Sequence, residues 1–368
     1  MRAYIWTLPT RLFHWMLASY IVFSFFSSEI ENLLKIHVAF GYGVGILLFF
    51  RFIWGFIGPK YSRFSDWPLG LNDLVEFIKA TVHSKNTFAG HNPAASFVMA
   101  AILITAFLSV TSGILAYGVQ EGRGIFAFLN NSFFKEMDLF EEIHEFFVNI
   151  LFILISMHLV GLFVDWVLHK ETGTVSSMIN GYKNIRAEDS KLNAFQKLFA
   201  AVFLTFSLIF PIYIFWSDSI FTKSRFSVID FEKENSLFVE ECASCHTLYP
   251  PFLLPSNSWK KVMAGLEDHF GDDASLDRED KEKIESFLVE NSADVSTKEA
   301  AFYIKESLTG KKDIISITET SYWKEKHKNI PERIFRSKSV KKSSNCKACH
   351  KNIERGFIED HNIEIPKA

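Results

Sequence analysis

His144-Glu145-Phe146-Phe147-Val148-Asn149-Ile150-Leu151-Phe152-Ile153-Leu154-Ile155-Ser156-Met157-His158 sets the reading of the whole chain. Its interior is apolar, and it sits in a run over 143–168, long enough for a bilayer crossing of about 20 residues. Fourteen residues separate the two histidines. A helix turns about 100° and rises about 1.5 Å per residue, so both imidazoles point to one face, roughly 21 Å apart along the axis. Ionisable side chains inside a membrane span are costly and usually functional. Two imidazoles at two depths suit two metal-bearing groups stacked across a bilayer.

Four further apolar runs lie near 12–28, 34–57, 95–118 and 195–217. All five fall within the first 217 of 368 residues, and the remainder has the composition of a soluble domain. No small-residue cleavage site follows the first run, which predicts a retained helix and not a signal peptide. Lys and Arg concentrate at the N-terminus (Arg2, Arg11), in 58–94 (Lys60, Arg63, Lys79, Lys85) and in 169–194 (Lys170, Lys183, Arg186, Lys191). The link at 29–33 carries Glu29 and Glu31 without a cation, and 119–142 sets Arg123 and Lys135 against five acids. The positive-inside rule then predicts a cytoplasmic N-terminus. An odd number of spans puts everything after Trp216 outside the cytoplasm. A net charge of −3 points to no nucleic-acid partner, and the sequence suggests no Lys/Arg-rich block.

His14 opens the first apolar run and His37 the second. The fourth run travels inward, so His144 is outer and His158 inner. Depth pairs His37 with His144 and His14 with His158, each pair clamping one non-covalent haem between two helices. Interhelical hydrogen bonding by these histidines is the plainer alternative. Arg51 and Arg63 are placed for haem propionates or for the inner interface, and His91 for a quinone site or a loop cap. His83 and His169 are expected in solvent. Gly41, Gly43 and Gly45 are expected to admit a haem face, because no strand–turn–helix surrounds them as a dinucleotide fingerprint requires.

All four cysteines of the tail fall in two copies of one motif, Cys242-Ala243-Ser244-Cys245-His246 and Cys346-Lys347-Ala348-Cys349-His350. C-x-x-C-H is the attachment signature of a c-type haem: two thiols bind the two vinyl groups, and the histidine lies under the iron. A zinc site would need the four thiols to converge, although each motif already has its own histidine. The second axial ligands are sought among His269, His327, His361 and Met263. His269 follows the first motif histidine by 23 residues and His327 precedes the second by 23, which suits one distal histidine for each haem. Met263 fits a core position better.

The tail resembles the dihaem cytochrome c family over about 235–368. The resemblance rests on Glu241 to Pro251, on Leu253-Leu254-Pro255 and Ser258-Trp259, on His269-Phe270-Gly271, and on Asp273-Ala274-Ser275-Leu276-Asp277. It continues through Trp323 with His327, Asn345 to His350, and Ile365-Pro366. It implies His269 and His327 as distal ligands. Phe252 stands where glycine is expected, in a loop. The membrane half resembles the bacterial cytochrome b561 family, which includes the cytochrome b subunits of membrane hydrogenases, over about 5–185. Its carriers are Arg11-Leu12-Phe13-His14-Trp15, His37 with Gly41-Tyr42, Arg51 with Trp54-Gly55-Phe56, Tyr61-Ser62-Arg63-Phe64, Gly90-His91-Asn92-Pro93, His144-Glu145 and His158. This resemblance implies haem b at the four membrane histidines and exchange with quinone.

The expectation is an all-α chain. Residues 1–190 form a membrane domain with two b-haems, 191–220 a fifth helix outside the four-helix haem core, and 221–368 a mostly helical periplasmic domain with two c-haems. It would sit in the bacterial inner membrane and pass electrons between quinol or quinone and a soluble periplasmic cytochrome or other haem protein. Lipid surrounds it, a homodimer is left open, and no residue is assigned a catalytic role. A quinol–cytochrome c type oxidoreductase is the nearest enzyme class. The competing reading is a haem enzyme or sensor that binds oxygen or peroxide at an open iron.

Overall fold

The structure, a computed structural model, describes residues 2–28, 33–80, 88–308, 310, 314–358 and 363–367. Glu29, Glu31, His83, Lys85 and His361, which the sequence reading used, lie outside the described residues. The chain divides into two compact units, residues 1–116 with 139–222, and residues 117–138 with 223–368.

The first unit holds α1 (Leu8–Ser28), α2 (Leu34–Ile57), most of α3 (Pro93–Val119), α4 (Leu139–Leu168) and α5 (Ala194–Trp216). Helices α1 and α2 run antiparallel along their full length. Trp54 Nε1 donates to Thr10 Oγ1 at 3.2 Å at one end, Phe13 meets Phe50 and Tyr20 meets Phe40 along the middle, and His37 Nδ1 lies 2.8 Å from the Ser24 carbonyl at the other. Among the described residues, α2, α3, α4 and α5 are long and apolar enough to cross a membrane. The expected fifth span, α1, falls short because it carries Thr10, Arg11, His14 and several serines. Its pairing along the whole of α2 nevertheless places it beside a spanning helix from end to end.

Helix α5 lies against both α1 and α2. Gln196 donates to the Ile57 carbonyl at 2.7 Å, and Phe199 stacks on Phe50 at 5.8 Å. Gly43 makes the close approach possible: a Cβ there would meet Tyr20 and Pro211, both at 2.8 Å. Pro211 has no N–H, so the Ser207 carbonyl four residues earlier loses its helical donor. In lipid such a group must be satisfied by protein. The Tyr20 hydroxyl donates to Ser207 O at 2.9 Å and fills that need. Helix α4 contrasts with this packing. Of its 30 residues Leu151 alone is buried, and Phe152, Val160 and Phe163 present apolar surface outward, as a lipid-facing helix does.

One end of the bundle is tied by β1 (Ala3–Tyr4) pairing antiparallel with β2 (Tyr182–Lys183), and by Tyr61 donating to the Glu188 carbonyl at 3.0 Å. The N-terminus and the 169–193 segment therefore share one end.

The second unit joins the 117–138 segment to the tail. Gly124 N donates to Lys223 O at 3.0 Å and Arg225 N to Gly122 O at 2.8 Å. The Lys135 ammonium donates to the carbonyls of Gln120 and Thr297 at 2.8 and 3.1 Å, over the Phe302 ring. The tail is helical, with α6 (Ser236–Cys242), α7 (Ser256–Ala264), α8 (Arg278–Glu290), α9 (Glu299–Ser307) and α10 (Ser321–His327). Its core gathers Phe238, Leu254, Trp259, Ile284, Leu288 and Ile304. In this division α5 falls in one unit with the other membrane helices, and 117–138 falls in one unit with the tail.

Tyr20→Phe leaves a buried carbonyl without a donor and should cost about 1–2 kcal/mol. In a Pro211→Ala background the restored amide answers that carbonyl, and the cost of Tyr20→Phe should nearly vanish. Thermal unfolding of the four proteins of this cycle in detergent measures it.

Candidate functional site

Eight histidines meet as four pairs. In the first unit the ring centres of His14 and His158 are 6.5 Å apart and those of His37 and His144 are 6.1 Å apart. In the tail, His246 and His269 stand at 6.1 Å, as do His327 and His350. An imidazole nitrogen binds a transition metal at about 2.0 Å, so two imidazoles on opposite sides of one ion hold their ring centres roughly 6.4 Å apart. All four spacings fit an iron between the rings. Among the described residues no group of three or more His, Cys, Asp or Glu converges as around a protein-only metal ion.

The second ring nitrogens add to the fit. Nδ1 of His37 lies 2.8 Å from Ser24 O and that of His144 2.9 Å from Ser109 O. In the tail, His246 Nδ1 lies 2.7 Å from Thr247 O and His327 Nδ1 2.8 Å from Trp323 O. A backbone carbonyl can only accept, so each Nδ1 carries the hydrogen and each Nε2 keeps its lone pair for a metal. Burial and the facing His327 hold His350 down at about 4, and burial with His246 lowers His269. Both rings are neutral at pH 7, as ligation requires. Burial raises the Cys242 and Cys346 thiols to about 11, and all four cysteines are free of disulfides. Met263 lies in the apolar core of the tail.

The glycines near the membrane pairs divide by role. A Cβ on Gly113 would come within 2.8 Å of the His144 ring, so only glycine lets α3 approach that imidazole. Gly41, one turn from His37, and Gly161, one turn from His158, face open space on the histidine side of their helices. Gly43 was expected to admit a haem face but instead admits Tyr20 and Pro211, and Gly45 abuts Val110 at 3.2 Å.

A cationic cluster lies toward the tied end. The Arg51 guanidinium is buried over the rings of Phe64 and Trp67, at 4.7 and 5.0 Å, and its Nη1 has no hydrogen-bond partner among the described residues. The buried Lys183 ammonium donates to Gly90 O at 3.0 Å, and burial lowers it to about 8. His91 is held between Trp6 at 4.9 Å and Trp67 at 5.2 Å, and its Nδ1 has no hydrogen-bond partner among the described residues. Burial first, then Arg51 and Lys183, push it down to about 3, so it is neutral. Trp67 and His91 line a cavity of about 430 Å³ together with Tyr61, Phe88 and Gly90. The sequence offered Arg51 and His91 but not Lys183, which a loop lysine count places in solvent. His169 also departs from expectation: its side chain is largely buried and its Nδ1 lies 3.2 Å from Asp165.

The family model for dihaem cytochrome c matches residues 238–357, and that for prokaryotic cytochrome b561 matches residues 5–181. A dihaem cytochrome c from Shewanella baltica is 34% identical over 36% of this chain and 94% of its own, with a TM-score of 0.30. The dihaem cytochrome c from Rhodobacter sphaeroides is 37% identical over 36% of this chain and 99% of its own, with a TM-score of 0.31. No curated protein matches the chain. The chain belongs to the dihaem cytochrome c family through its tail, joined to a prokaryotic cytochrome b561 region with apolar membrane helices, and is a haem-containing electron-transfer protein.

Proposed function

We propose that this chain carries electrons between a membrane quinone pool and a soluble redox protein outside the cytoplasm, through two b-type and two c-type haems. The observation that carries the proposal is the fourfold imidazole pairing at 6.1–6.5 Å. Bound haem supplies reversible one-electron chemistry at iron. The chain's own groups do the rest. His14 with His158 and His37 with His144 hold the two membrane centres. His246 with His269 and His327 with His350 hold the two tail centres, anchored by Cys242, Cys245, Cys346 and Cys349. Two imidazoles for each iron leave no coordination position for oxygen or peroxide, which disfavours the enzyme and sensor readings.

Arg51 and Lys183 are cations buried among aromatic rings, suited to the propionates of the inner haem. The cavity lined by Trp67, Phe88 and His91 is of a size and aromatic character suited to a quinone ring. Topology follows from connectivity and charge. β1 and β2 join the N-terminus to the Lys/Arg-rich 169–193 segment, which suits the cytoplasmic side, and five crossings then leave the tail outside the cytoplasm. That arrangement needs α1 to cross the bilayer, and it puts the tail on the periplasmic side of an inner membrane.

The purified protein should contain b- and c-type haem in equal amounts, which a pyridine-haemochrome assay measures; a clear excess of either type contradicts the reading. Added quinol analogue should reduce the b-haems before the c-haems in stopped-flow absorbance. His144→Ala should remove one b-haem and slow c-haem reduction by an order of magnitude or more. An unchanged rate would exclude the proposed path. Gly113→Leu should disturb the same centre by driving the His144 ring aside, whereas Gly45→Ala should keep both b-haems. Haem-to-protein ratios of the two variants distinguish these outcomes.

A further inference from the structure

The tail is electrically polarised between its two imidazole pairs. Residues 230–294, which hold His246 and His269, carry sixteen Asp and Glu against six Lys and Arg. Residues 324–351, which hold His327 and His350, carry ten Lys and Arg against Glu325 and Glu332. This departs from the expectation of a chain without a Lys/Arg-rich block. The cations are spread over 28 residues, and folding collects them: α10, the short helix Glu332–Phe335 and the second attachment motif all pack around His327. Trp323 stacks on His327 at 4.3 Å, and Phe335 lies 5.9 Å from Trp323 and 6.4 Å from His327.

All ten of these cations are exposed. Lys326, Arg336 and Lys347 pair with Glu299, Glu332 and Glu354 at 3.0–3.3 Å, and Lys328 and Lys351 pair with Glu325 and Glu364. Lys324, Arg333, Lys338, Lys341 and Lys342 have no ion-pair partner among the described residues. Five cations left without an ion pair on one 19-residue stretch give this part of the tail a positive field, which steers an anionic partner and repels a cationic one. No large apolar side chain in 321–351 is exposed, so the patch lacks the means to insert into a lipid surface.

We infer that the cationic collar around His327 and His350 is the docking surface for an acidic, soluble one-electron carrier protein, which makes the second tail centre the port through which electrons leave the chain. This rests on the electron-transfer reading above. One electron passes from the centre held by His327 and His350 to the oxidised carrier, and no bond forms or breaks. A contact made of exposed charges is fast and transient, its strength residing in the association rate. The acidic surroundings of His246 and His269 disfavour the same carrier there, so the polarity selects one of two otherwise similar centres.

The test uses the full-length, haem-loaded protein in detergent, with an acidic flavodoxin as probe and a basic mitochondrial cytochrome c as its opposite-charge control. Binding is measured at low and high salt. Wild type should prefer flavodoxin, and high salt should abolish that binding. Lys338→Glu/Lys341→Glu/Lys342→Glu should weaken flavodoxin binding by about tenfold or more, and the corresponding Gln variant by less. Equal binding by wild type and the Glu variant, or a wild-type preference for cytochrome c, would overturn the inference. So would a Glu variant that loses binding to phosphatidylserine vesicles while flavodoxin binding stays intact, since the collar would then be a lipid contact. Absorbance of the same samples keeps the two claims apart. Protein that lacks c-haem speaks against the electron-transfer reading, whereas loaded protein with charge-independent binding speaks against the collar.

Discussion

An imidazole from one segment facing an imidazole from another, at the distance that admits one metal ion between them, is the constraint on which this molecule turns. It recurs four times in two different settings. In the bundle it requires two helices to present histidines at matched depths. The antiparallel pairing of α1 and α2 sets two of those depths, and the 14-residue interval on α4 sets the other two. In the tail it requires a loop histidine after each cysteine pair to meet one 23 residues away. The rest of the structure serves these meetings. Gly113 clears room for the His144 ring, and carbonyls of Ser24, Ser109, Thr247 and Trp323 orient four of the rings.

The pairs themselves were legible in the sequence because their grammar is simple. Helical periodicity and span direction sort His14, His37, His144 and His158, and a five-residue motif marks Cys242 to His246 and Cys346 to His350. What stayed hidden depends on contacts between segments far apart in the chain. Nothing local in Lys183 distinguishes it from its exposed loop neighbours, and its burial beside Gly90 and Trp6 arises only when β2 pairs with β1. Gly43 and Gly41 look alike two positions apart, yet a helix turns them to different surroundings, one against α1 and α5 and the other toward open space. The compensation of Pro211 by Tyr20 joins residues 191 positions apart and has no signature in either segment.

The same distinction explains why α5 was set apart from the haem helices. By sequence it carries no histidine and leads into the tail, so it reads as a tether. By packing it is the partner of α2, stacking Phe199 on Phe50 and closing on Gly43. The 117–138 segment likewise reads as a connecting loop, yet its backbone bonds with 223–225 and the buried Lys135 make it part of the tail's unit.

We propose that every haem iron is held by two histidines of this chain. Electron paramagnetic resonance of the fully oxidised, full-length protein, quantified against its haem content, tests it most directly. Two imidazoles on each iron should give low-spin ferric signals that together accommodate all four irons, and no high-spin component. A high-spin ferric signal amounting to one iron for each protein would contradict it.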